Sequence, residues 1–198
     1  MPYGVGMPDF PPCDDTCGAL AEHVRRNFPG TAIEAFTWEA GPIREQNPHL
    51  RVLRIAPARQ SGVWTYVSVG AWAATEDQGR GLEFVIVMPV EDPRAFELLA
   101  MTAYYHRGGT LGLGHTLPIG EPWLPGSRCD HLLVSLPYPW GPELQTCHVG
   151  ERHVDFLWLL PITKEERDFK AVNGLEALES VFEEHALKYW DVERSSRI

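Results

Sequence analysis

The sequence predicts one α+β domain: a mixed or mostly antiparallel sheet with helices packed against it. Three observations carry this. The chain reads as a helix, four strands, a helix, two strands and two helices. One strand segment, Gly81 to Met88, is largely apolar on both faces, so it needs cover on both sides. No internal repeat, low-complexity linker or charge block divides the 198 residues, a length that suits one domain.

Met1 to Pro12 has prolines at 2, 8, 11 and 12 and reads as a loose arm, with the domain running from Cys13 to Ile198. Asp14 or Asp15 can cap a first helix, in which Cys17, Leu20, Ala21, Val24 and Phe28 share one face until Pro29-Gly30 stops it. Strands are expected over Thr31 to Trp38, Leu50 to Ala56, Gly62 to Trp72 and Gly81 to Met88. The last of these, with Leu82, Phe84, Ile86 and Met88 against Glu83, Val85 and Val87, belongs near the middle of the sheet. Asp92-Pro93 starts a helix whose stripe is Phe96, Leu99, Ala100 and Ala103, ending at Gly108-Gly109.

A long loop rich in Gly and Pro then leads to a strand at Leu132 to Leu136. It carries Ile119, Trp123 and Leu124, too apolar a set to be left in water, so it is expected to be ordered and to present a surface. A rigid turn follows at Pro137 to Pro142, then a strand over His153 to Leu160. Thr163 with Glu166, and Asn173 with Glu176, have capping-box spacing for two last helices. The second of these is expected to bury Leu175, Leu178, Phe182 and Ala186, with a short strand at Tyr189 to Val192 closing the chain.

A net charge of -10 argues against a nucleic-acid partner and suits a basic protein. No run of about 18 apolar residues suggests a membrane span, and the N-terminus lacks signal-peptide character. The expectation is a cytoplasmic protein with Cys13, Cys17, Cys129 and Cys147 as reduced thiols. Catalytic motifs are not found. Ser127 sits in turn chemistry, and Gly108, Gly109, Gly112 and Gly114 match neither nucleotide-loop template. Cys129, His131, Cys147, His148 and His153 form two loose Cys/His clusters without a zinc knuckle; they support only an alternative reading, a metal-assisted hydrolase. Seven Trp and six Tyr are more than a core of this size needs, and Tyr104, Trp123, Tyr138 and Trp140 stand in or beside loops, as at protein-binding surfaces. The other account of these aromatics is that they plug the ends of the sheet.

The residues also carry a resemblance. Gly114-His115-Thr116-Leu117-Pro118 with Trp123, then Asp130 to Val134, then Val154 to Thr163 leading to Glu165-Glu166, then Asn173-Gly174-Leu175-Glu176-Ala177-Leu178 and finally Tyr189-Trp190-Asp191-Val192 resemble the suppressor of fused domain in its bacterial form. Their order and spacing carry it, over roughly residues 20 to 198. The resemblance implies an α+β fold without catalysis or cofactor and with a protein partner. In animals such domains restrain a transcription factor in hedgehog signalling, the partner peptide lying as an added strand between this domain and a second one. Bacterial relatives are proposed as immunity proteins of polymorphic toxin systems, and the acidic charge would suit a basic toxin. Tyr104 and the Gly114-His115 pair fall where the animal domain contacts its peptide, with His115 standing where that family has an acidic residue. The partner-binding set expected here is therefore Tyr104, His115, Trp123, Tyr138 and Trp140.

Overall fold

The computed structural model describes residues 15–58, 62–74, 80–106 and 111–198. The N-terminal arm and the Gly108-Gly109 helix stop lie outside these. The chain forms two compact units, one holding the chain up to Leu111 with Leu136–Trp158, the other Gly112–Ser135 with Leu159–Ile198. The fold is α+β, and its sheet is mixed and mostly antiparallel.

In the first unit, α1 (Asp15–Asn27) is followed by β1 (Ile33–Thr37), the short α2 (Pro42–Gln46), β2 (Arg51–Ile55), β3 (Trp64–Val69) and β4 (Arg80–Met88). These four strands pair in sequence as an antiparallel meander. α3 (Arg94–His106) follows, its first free N–H capped by Asp92 Oδ1 at 2.8 Å. The chain later returns to this unit through α4 (Pro142–Gln145), β7 (Thr146–Val149) and β8 (Arg152–Thr163). β8 pairs parallel with β4 and antiparallel with β7, so β4 is an interior strand, as its two apolar faces require.

Both faces are covered. On one, Cys17, Leu20 and Val24 of α1 pack on Leu53, Ile55, Val67, Val69, Val85, Val154 and Phe156. On the other, Phe96 of α3 meets Phe36 and Tyr66 edge-on at 5.0 and 5.4 Å, and His106 meets Phe84 at 5.6 Å.

The second unit holds β5 (Thr116–Pro118), β6 (Cys129–Ser135), the end of β8, α5 (Lys164–Asn173) and α6 (Leu175–Glu184). β5 and β6 pair antiparallel, and β8 neighbours β6. The Thr163–Glu166 capping box is present in full. The one expected at Asn173 is not: Gly174 is the N-cap of α6, and the Asn173 amide instead donates to Phe169 O, closing α5. Leu178 and Phe182 are buried, but Ala186 lies past the helix end with φ +45 and is exposed. Tyr189 to Val192 is a turn and not a strand, held by Asp191 N–H on Lys188 O. Cys17 is disulfide-bonded and Cys129 and Cys147 are free, which corrects the expectation that all the cysteines are reduced.

Candidate functional site

In the first unit a groove of about 440 Å³ lies between α2 and α3. Its construction follows from a few local choices. Pro42 at the first helical position starts α2 after Gly41. Asn47 then caps the helix end by bonding Ile43 O, and its side-chain amide donates to Gly70 O at 3.1 Å. Gly70 has φ +102, and a Cβ there would stand 2.2 Å from His49 O, so only glycine lets the turn after β3 approach the connection between α2 and β2 so closely.

The same turn is held from below by Glu83. Its carboxylate accepts the N–H groups of Gly70, Ala71 and Trp72 at 2.6, 3.3 and 3.4 Å and the Ser68 hydroxyl. Glu83 is fully buried, and burial pushes its carboxyl up to about 7. A carboxylate in an otherwise apolar strand was the sequence signal for this anchor, and the alternation reading passed over it.

The groove walls are Ile43 and Leu50 on one side and Ala100, Met101 and Ala103 on the other. Tyr104 stands at the rim, 62% exposed. Glu97 is the charged residue of the lining, and it faces Arg94 at 2.7 Å. An apolar trough with an exposed tyrosine and a carboxylate at its edge can take an apolar side chain of a partner whose flank is polar or basic.

The other expected contact residues fall as follows. His115 is exposed in the second unit, its backbone C=O accepting Val134 N–H at 2.9 Å. Gly114 beside it bonds Val134 O and accepts from Lys170 Nζ. Tyr138 is 59% exposed. Trp140 is half-buried and spends its ring on Trp158 and Phe28, at 6.0 and 6.4 Å. Trp123 is 1% exposed; its indole N–H donates to Ser127 Oγ at 2.8 Å, and its backbone N–H to Cys129 O. It is a core residue and presents no surface. Ile119 and Leu124 are buried with it, so the long loop is packed, as its apolar content demanded.

The Cys/His set of the alternative reading does not converge. Among the described residues no three of His, Cys, Asp and Glu gather closely enough to hold a metal ion. Cys129 and Cys147 are buried, and burial raises both thiols above their usual range, the opposite of an activated nucleophile. His131 Nδ1 is engaged by Asp130 at 2.7 Å. No helix among the described residues is long and apolar enough to cross a membrane.

With this geometry in place, comparison with known proteins is decisive for the family. The family model for suppressor of fused protein matches residues 46–195. The chain belongs to the suppressor of fused family. A crystal structure described as a suppressor of fused homolog from Neisseria gonorrhoeae FA 1090 is 36% identical, with TM-score 0.82, covering 93% of this chain and 97% of that one. The Sufu–Fu complex crystal structure (15% identity, TM-score 0.62, 84% of this chain and 83% of that one) shares the fold. So does Drosophila suppressor of fused, at 15% identity and TM-score 0.68, where 92% of this chain covers 51% of that one. No curated protein matches the chain. The suppressor of fused assignment agrees with the motif order read above, from Gly114-His115 to Tyr189-Trp190.

Proposed function

We propose that this suppressor of fused domain is a non-catalytic binding module, an immunity protein that holds and neutralises a basic toxin. The observation that carries the reading is Tyr104, a large aromatic left 62% exposed on the rim of the apolar α2–α3 groove. Exposed tyrosines beside apolar pockets are typical anchors of protein interfaces. The Sufu–Fu structure shows a fold relative in a complex, and the charge of -10 favours a partner of opposite sign. His115 and Tyr138 are exposed polar and aromatic groups that we assign to the same binding role. Trp123 and Trp140 are left out of it, because packing occupies their rings.

The test uses a purified basic toxin that the chain protects against when the two are co-expressed. Tyr104→Ala should weaken binding by about 2 kcal/mol, roughly 30-fold, in calorimetry. Growth protection should fall with it. Equal affinity for Tyr104→Ala and the parent protein would refute the groove as the binding site. A toxin inactivated catalytically, at sub-stoichiometric amounts of this chain, would refute the non-enzymatic reading.

A further inference from the structure

The turn between β7 and β8 places two imidazoles opposite each other on the surface. His148 and His153 are register partners, one pair in from the Val149–Arg152 pair that closes the hairpin. Gly150, with φ +62, occupies the first position of the two-residue loop, where a tight hairpin of this twist calls for glycine. In such a hairpin the closing pair exchanges hydrogen bonds. The alternation of an antiparallel ladder then makes the next pair the close, non-hydrogen-bonded kind, with Cα atoms about 4.5 Å apart. The rings stand accordingly: their centroids are 4.6 Å apart and their planes are at 84°. Both residues are exposed, so the pair faces solvent.

We infer that His148 and His153 form a two-imidazole chelate for a late first-row divalent metal ion, with water completing the coordination. This is independent of the partner-binding groove. Imidazole is the common protein ligand for Cu²⁺, Ni²⁺ and Zn²⁺, whereas Mg²⁺ and Ca²⁺ prefer oxygen. The hairpin holds the two residues opposite each other before the ion arrives, so the second bond forms as an intramolecular step. The neighbours set the limits of the site. Cys147 points to the opposite face and is buried, so no thiolate joins it. Asp155, one pair further along the same face, has Oδ1 engaged by Thr146 Oγ1 at 2.7 Å. Arg80 lies in register with His153 on β4 and adds positive charge nearby. The chelate is therefore a two-nitrogen site and not a closed tetrahedral one, and it is distinct from the convergent hydrolytic centre that the Cys/His set does not build.

Titration calorimetry of tag-free protein with CuCl₂, NiCl₂, ZnCl₂ and MgCl₂, in a buffer that does not coordinate metals, tests this. One Cu²⁺ per chain is expected, bound more tightly than Ni²⁺ or Zn²⁺, with no heat from Mg²⁺. His148→Ala and His153→Ala should each lower the Cu²⁺ affinity on the order of 10- to 100-fold, since each leaves a single imidazole. His148→Asn and His153→Asn keep a polar side chain on each strand; the same loss in these, with unchanged circular dichroism, reads as lost ligation and not as a disturbed hairpin. His185→Ala, at the far end of α6, should leave the isotherm unchanged. Absence of saturable Cu²⁺ binding, or isotherms unaltered by substitution at 148 and 153, would overturn the inference.

Discussion

Glu83 and His106 are both buried in the first unit, and burial moves them in opposite senses. The Glu83 carboxyl rises from 4.5 to about 7, and the His106 imidazole falls from 6.5 to about 4. Between pH 4.5 and 7 the folded chain holds a proton on Glu83 that the unfolded chain has released, so stability falls as pH rises through this window. Between pH 4 and 6.5 the unfolded chain binds a proton on His106 that the folded chain refuses, so that contribution rises with pH. The two slopes oppose each other where the windows overlap, and above it only the Glu83 loss remains. Glu83→Gln should therefore gain on the parent protein by about 3 kcal/mol between pH 4.5 and 8, read as the difference of two urea-denaturation profiles. A flat difference profile would mean that Glu83 is ionised in the folded state at pH 5. The same measurement at neutral pH separates two aromatics that looked alike in the sequence. Trp123→Ala should cost about 3–5 kcal/mol through the cavity and the lost Ser127 bond, and Tyr104→Ala about 0.5 kcal/mol or less.

At the scale of elements, α5 is tied to the end of the chain through one carboxylate with two duties. Glu166 Oε2 accepts Thr163 N–H at 2.9 Å in the capping box. The Arg194 guanidinium donates to both Glu166 oxygens, at 2.6 and 2.8 Å, and to Pro161 O at 2.8 Å. Arg194 is 3% and Glu166 0% exposed, so each charge depends on the other. Arg194→Met should destabilise by about 3–5 kcal/mol, because it strands the Glu166 charge. Adding Glu166→Gln should recover part of that loss, giving a positive coupling in a double-mutant cycle; strict additivity would show that the pair is not coupled. Long elements such as α3 and β4 were legible from periodicity, and the Thr163 cap from its spacing. α2, α4, β5 and β7, of three to five residues each, were not, because so few positions cannot establish a period. Asn173 carried the capping spacing without the cap, since Gly174 intervenes and takes that position. For the candidate site, Tyr104 was nominated through family likeness, but its groove depends on α2; the packing of the loop that holds Trp123 was legible from its apolar content, whereas which of its side chains would still face outward was not.

At the scale of the whole molecule, 27 acidic against 17 basic residues leave a net charge of -10. A field of that sign acts before contact: it speeds the encounter with any partner of opposite charge and contributes less once contact is made. In the proposed complex the apolar walls of the groove around Ile43, Leu50 and Met101 would contribute by burial, which salt does not screen. The two contributions separate kinetically. Between about 20 and 500 mM NaCl the association rate should fall about tenfold or more while the dissociation rate moves by less than about threefold. Tyr104→Ala should do the reverse, raising the dissociation rate at every salt concentration and leaving the slope of the association rate against ionic strength unchanged. Stopped-flow mixing with the purified partner reads both. An association rate indifferent to salt would remove charge from the recognition, and a dissociation rate indifferent to Tyr104→Ala would remove the groove.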